Sequence, residues 1–171
     1  EVPELFGDRR WLDLTVALWV ALAQRYADDP TVAGYDLLNE PLPDEYQNRH
    51  ADELVALYRE LTAAIRAVDR NHLLMYEGMH WATNWSIFDE VWDDNSVLQF
   101  HKNWSPPDRP SIQQFVDVGA RLGLPIYMGE GGENNPAWIQ TAFQLYEDLG
   151  IGWNFWPWKK LDTLTSPCSA I

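Results

Sequence analysis

Two glutamates stand where an apolar run stops. In GYDLLNEPLPD the apolar residues that begin with Val32 and Ala33 end at Asn39-Glu40-Pro41, and in PIYMGEGGENN the run Ile126-Tyr127-Met128 ends at Gly129-Glu130. Pro41 has no N–H to give to a ladder, so a strand through the first stretch finishes at or before Glu40. Both carboxylates are then expected at the carboxyl ends of strands, where α/β folds place their chemistry. Such a pair suits work that needs one protonated and one ionised carboxyl, because mutual repulsion separates the two pKa values. Taken singly, each motif reads equally as a polar strand end or a glycine-rich turn. Gly131 and Gly132 allow close backbone approach or positive φ, and Asn134 or Asn135 before Pro136 fits a helix start. Glu77, after HLLMYEG, is a third strand-end carboxylate, expected to pair with a neighbouring loop rather than to react.

The elements that position these residues recur along the chain. DRRWLDLTVALWVALAQRYADD has apolar residues at helical spacing, with an Asp at the expected N-cap and Pro30 beyond its end. TVAGYDLLNEP is the strand that follows. HADELVALYRELTAAIRAVDRN is a second amphipathic helix leading into HLLMYEG, and WATNWSIFDEVWDDN, a loop with a short helical piece, precedes SVLQFHKNW. The helices SIQQFVDVGARLGL and AWIQTAFQLYEDLG lead into PIYMGEGGEN and IGWNFWPWKK. Helix alternating with strand predicts a parallel sheet built from right-handed crossovers, in one domain over residues 1–171. No strand leads into G-x-G-x-x-G and no G-x-x-x-x-G-K-[ST] occurs, so a nucleotide-binding open sheet lacks its signatures. Polar or aromatic residues of functional type follow every strand instead, as in a barrel that draws its site from many strand ends. The fold class expected is α/β, a partial (β/α)8 barrel. A full barrel takes about 250 residues, so five strands are expected here, with the sheet open because the first three strands and the last helix are missing.

Composition narrows the classes. The chain has 171 residues, a net charge of −14 and 46% hydrophobic content, which is globular and argues against a nucleic-acid partner. No apolar run has the length of a membrane span. The single Cys168 excludes an internal disulfide framework and reads as a bystander. The four histidines form no H-E-x-x-H pair or ligand cluster, so neither a metal site nor a cofactor is expected. His50 and His72 read as helix-start and strand-start residues, and His80 as a loop residue. Among the ten tryptophans, Trp11, Trp19 and Trp138 are expected to pack within helices. Trp81, Trp85, Trp104, Trp156 and Trp158 follow strand-like segments and together suggest platforms for a flat apolar ligand face.

Two glutamates facing one another across a barrel mouth suit glycoside hydrolysis. LLNEP at 37–41, FHKNW at 100–104, MGEGGEN at 128–134 and WNFWPWKK at 153–160 resemble, in order and spacing, the motifs of the family 5 glycoside hydrolases, the cellulase family within the clan of (β/α)8 retaining glycosidases. The resemblance covers nearly the whole chain and places it over barrel strands four to eight. It implies Glu40 as acid/base, Glu130 as nucleophile, Asn39 on the sugar 2-hydroxyl, His101 at the sixth strand's end and Trp156 as platform, with Asn103 and Trp104 among the substrate-binding residues. Because strand alternation sends Asn39 and Glu40 to opposite sides, it also needs a twist or bulge there. The family usually carries a tyrosine at position 103, and the asparagine here puts the contact to the nucleophile in question. An early-strand arginine and histidine of the family lie outside this sequence, so the piece alone is expected to be inactive. The partner implied is a β-linked glycan of glucan or mannan type, without an obligate protein partner, and secretion is expected for the full-length protein. A carbohydrate-binding pseudoenzyme is the alternative.

Overall fold

The computed structural model describes residues 4–156. Trp158, Cys168 and the end of the WNFWPWKK motif lie outside the described residues. Among the described residues there are five α-helices, α1 (Arg9–Tyr26), α2 (Gln47–Arg66), α3 (Met79–Ala82), α4 (Arg109–Leu122) and α5 (Pro136–Asp148), and five strands, β1 (Gly34–Asp36), β2 (Leu73–Glu77), β3 (Ser96–Lys102), β4 (Ile126–Gly131) and β5 (Gly152–Phe155). The strands follow sheet order β1-β2-β3-β4-β5. The pairs β1–β2, β3–β4 and β4–β5 are parallel, as expected for a partial (β/α)8 barrel. Two compact units divide between Val97 and Leu98, inside β3.

Helix boundaries follow capping chemistry. Asp8 caps α1 by accepting from the Arg10 N–H, Asp108 caps α4 through Ser111, and Asn135 caps α5 through Trp138. Pro110 and Pro136 occupy first-turn positions where the missing N–H costs nothing. Gly123 ends α4 at φ 67°, a left-handed cap that glycine adopts without a Cβ clash. His50, expected at a helix start, lies four residues into α2 at a kink with φ −124°. The short helical piece comes earlier than expected: α3 begins at Met79, and His80, Trp81 and Ala82 all have positive φ.

In the first unit, α2 buries Leu54, Leu57, Tyr58, Leu61 and Ile65. Tyr58, Tyr76, Phe88 and Trp92 pack ring against ring at 5.3–5.6 Å. In the second unit, Phe100 stacks on Phe115 at 4.4 Å, and Tyr146 meets Phe100 edge-on. Trp19 and Trp138 are anchored as expected, their ring N–H groups donating to the carbonyls of Leu37 and Ser105. Trp11 departs from its expected packing role. It is exposed with Leu14 and Leu18, because these positions share the face of α1 turned away from the core.

A buried polar cluster locks the start of β2. Asp69 accepts from the Tyr35 hydroxyl at 2.5 Å, faces His72 Nδ1 at 2.6 Å, and takes the Asn71 and His72 backbone N–H groups. His72 Nε2 lies 3.0 Å from the Asp29 carbonyl, so both ring nitrogens face acceptors. Nearby, Arg66 makes a bidentate pair with Asp93 and bonds the carbonyls of Asp69, His72 and Asn95. Burial pushes the Asp69 carboxyl up, but the bonds from Tyr35, Asn71 and His72 outweigh it and hold it at about 2. The Asp29 carbonyl, helped by Asp69 and opposed by burial, raises His72.

Asp69 therefore contributes stability that is full above its unfolded value of about 3.9 and fades as pH falls toward 2. His72 contributes stability that is full below about 6.5 and fades as pH rises through its raised folded value. Urea midpoints measured across pH are expected to show both limbs, and His72→Gln to flatten the alkaline one. Asp69→Ala strands four donors and is expected to cost about 3–5 kcal/mol.

Candidate active site

In the first unit, β1 is shorter than the sequence suggests. Regular pairing ends at Asp36, although the Leu37 N–H still donates to the Met75 carbonyl. Asn39 and Glu40 lie three and four residues past the last strand residue, in a bend. Glu40 has φ 46°, and Leu42 and Asp44 follow at 54° and 48°. Glu40 and Leu42 each precede a proline, which biases a residue toward extended backbone, so these values are held against local preference. The expected break in strand alternation is therefore a left-handed turn rather than a bulge. Asn39 is exposed and Glu40 half-buried.

Two residues hold this turn, Glu77 at the end of β2 and His80 in α3. Glu77, fully buried, accepts the Glu40 N–H on Oε2 at 2.6 Å. Its own carbonyl takes the Tyr58 hydroxyl at 2.9 Å. The His80 N–H is shared between the carbonyls of Pro41 and Leu42, at 3.1 Å each. Glu77 thus pairs with a neighbouring loop, as its position in the sequence suggests. His80 sits beside the exposed Trp81, ring centres 4.6 Å apart, with its buried Nδ1 lacking a hydrogen-bond partner. Trp85 corrects the platform expectation: it is 2% exposed, donates to the Ala82 carbonyl and packs edge-on against Phe88. Its ring also lies where a Cβ on Gly78 would fall, which makes it a loop anchor.

In the second unit, the register of β3 with β4 decides where Glu130 points. Phe100 pairs with Met128 but His101 pairs with Glu130, so Gly129 is an extra residue in β4. Paired residues of parallel strands face the same side, and a one-residue insertion reverses the parity beyond it. Without the bulge Glu130 would face away from Gln99 and His101; with it, Glu130 shares their face. Gly129 is glycine because a Cβ there would overlap the Gln99 carboxamide, which is buried and lies 3.4 Å from His101 Nε2. A glycine inside an apolar strand pattern is the sequence signal for this bulge, and it went unused beside the more conspicuous Gly131 and Gly132. Of those two, Gly132 has φ 121°, and Gly131 packs against Met128 and the Lys102 carbonyl.

Asn103 spends its side chain on the loop after Glu130. Its Oδ1 accepts the Glu133 N–H at 2.9 Å, and its carbonyl takes Asn134 Nδ2 at 2.8 Å. Sequence reasoning overlooked Lys102, a buried amine that donates to the hydroxyls of Ser105 and Ser111. Burial pushes its ammonium down to about 8 against the pull of Asp108. The bonds brace the loop that carries Trp104, itself 67% exposed. Trp156, 45% exposed, donates its backbone N–H to the Gly131 carbonyl at 2.7 Å, directly beyond Glu130.

Comparison with solved structures defines the fold as a partial (β/α)8 barrel. Endoglucanase Cel5A of Thermotoga maritima superposes with a TM-score of 0.79 at 20% identity, over 97% of this chain and 64% of that one. The cellulose synthase subunit Z of Clostridioides difficile gives 0.80 at 15% identity, over 97% and 66%. The family model "Cellulase (glycosyl hydrolase family 5)" matches residues 12–162, and the chain belongs to that family. Its sequence relatives include a beta-xylosidase of Phanerodontia chrysosporium, 39% identical over 58% of this chain and 20% of that protein. An endoglycoceramidase of Cyanea nozakii is 34% identical over 61% and 23%. A mannan endo-1,4-beta-mannosidase of Streptomyces lividans is 24% identical over 87% and 39%. The chain thus spans about a fifth to two fifths of these curated relatives.

Gly129→Ala forces the buried Gln99 carboxamide out of place. It is expected to lower stability by about 1–3 kcal/mol in urea denaturation, and to move the His101 ring resonances in NMR spectra.

Proposed function

We propose that the protein hydrolyses O-glycosidic bonds of a β-linked glycan with retention of configuration, Glu130 acting as nucleophile and Glu40 as acid/base. The observation that supports this reading best is the Gly129 bulge, which turns Glu130 to the face of the buried His101. Glu130 attacks the anomeric carbon while Glu40 gives its proton to the departing oxygen. Glu40, now a carboxylate, then takes a proton from the water that attacks the glycosyl-enzyme ester, and Glu130 leaves. Asn39 bonds the sugar 2-hydroxyl, Trp156 lies under the reacting sugar, and His101, Asn103 and Trp104 complete the substrate contacts. Asn103 also anchors the 133–134 loop.

A glucan or mannan backbone is the proposed substrate. Solved neighbours include Cel5A of Thermotoga maritima in complex with cellobiose and with mannotriose, and a relative is a mannan endo-1,4-beta-mannosidase.

Because the relatives are much longer than this chain, the assay belongs with the full-length gene product. Turnover of an aryl β-glycoside is expected, with retained configuration by NMR of the first-formed product. Glu130→Ala is expected to abolish it, and Glu40→Ala to reduce it by about 10²–10⁴, the usual share of acid–base catalysis. The two carboxyl groups are expected about 5–5.5 Å apart in a crystal of that protein. Sugar binding without turnover would make the protein a carbohydrate-binding pseudoenzyme instead.

A further inference from the structure

We infer that Glu77 is a positioning residue for Glu40, its buried carboxylate holding the backbone turn that aims the Glu40 side chain. The inference rests on the role proposed for Glu40 above. Three observations carry it. Glu40 sits at φ 46°, a conformation that non-glycine residues adopt only when their surroundings impose it. The group bonded to its N–H is the Glu77 carboxylate, at 2.6 Å and fully buried, so the bond is charge-assisted and shielded from water. Glu77 is itself fixed, as the last residue of β2 with its carbonyl taken by the buried Tyr58 hydroxyl.

The loop beyond Glu77 reinforces the same turn. His80 clamps the carbonyls of Pro41 and Leu42 while holding positive φ itself, as do Trp81 and Ala82. Two left-handed segments thus support one another on either side of the Glu77–Glu40 bond. A left-handed residue at Glu40 redirects its side chain relative to Asn39, whereas an extended residue there would keep the alternation of a strand. Glu77 therefore governs the direction of the proposed acid without meeting substrate, which separates it from a catalytic residue.

The test exploits the fact that an acid matters only to leaving groups that need a proton. Glu77→Gln keeps the size and one acceptor but removes the charge. Its kcat/KM on a phenyl β-glycoside is expected to fall about 10- to 100-fold, part of the 10²–10⁴ that acid–base catalysis supplies. Turnover of the 2,4-dinitrophenyl glycoside with azide present is expected to stay within about threefold of wild type, because dinitrophenolate leaves unprotonated and azide needs no general base. The Glu40 amide proton, expected far downfield in NMR spectra, should move upfield in the variant. Tyr58→Phe, which frees the Glu77 carbonyl, is a second variant expected to show a smaller loss with the same selectivity. An equal loss on both substrates, or no loss on either, overturns the inference. Failure of the wild-type protein to turn over either glycoside instead defeats the functional reading, so the two failures are told apart.

Discussion

The two-residue period of a β-strand is the constraint that both candidate carboxylates have to escape. In a regular strand, neighbouring side chains face opposite sides, and an acid placed by apolar patterning alone has an even chance of facing the wrong one. The chain escapes it twice by different means. Before Glu40 the strand stops early, and the backbone reverses through residues at positive φ. At Glu130 the strand continues, but an inserted glycine shifts the register by one. Each device needs a buried polar partner to hold it: the Glu77 carboxylate against the Glu40 N–H, and the Gln99 carboxamide in the space Gly129 leaves open.

The polar groups divide by position along the strands. At the amino end of β2, the Asp69–His72–Tyr35 cluster and the Arg66–Asp93 pair tie together the tail of α1, the end of α2 and the start of β2. Every charge there has a partner, and the groups serve stability. At the carboxyl ends the polar groups brace loops instead: Glu77 and His80 in one unit, Lys102 and Asn103 in the other. This is the division between scaffold and site that (β/α)8 proteins use.

Family membership is clear, and the relatives differ in the sugar their names give. The relatives named above include a xylosidase, an endoglycoceramidase and a mannosidase, so similar sequences carry names for different sugars. In this chain the aromatic residues Trp81, Trp104 and Trp156, which follow strands, are exposed.

The sequence by itself determined the alternation of helix and strand, the cap at Asp8, a cap at Asn134 or Asn135, and the two motifs ending at Glu40 and Glu130, because these depend on residues adjacent along the chain. It also marked Glu77 as a pairing rather than a reacting acid. Tertiary structure alone decided the rest. Trp11, in a helical pattern, faces outward and Trp85, after a strand, faces inward, the reverse of what their local patterns suggest, since burial depends on which face of a segment meets the core. Asp69, His72 and Tyr35 lie up to 37 residues apart and meet only when β1 pairs with β2. The side to which Glu130 points depends on which residue of β3 stands opposite it. No local pattern encodes that pairing; it exists only once two strands are hydrogen-bonded in register.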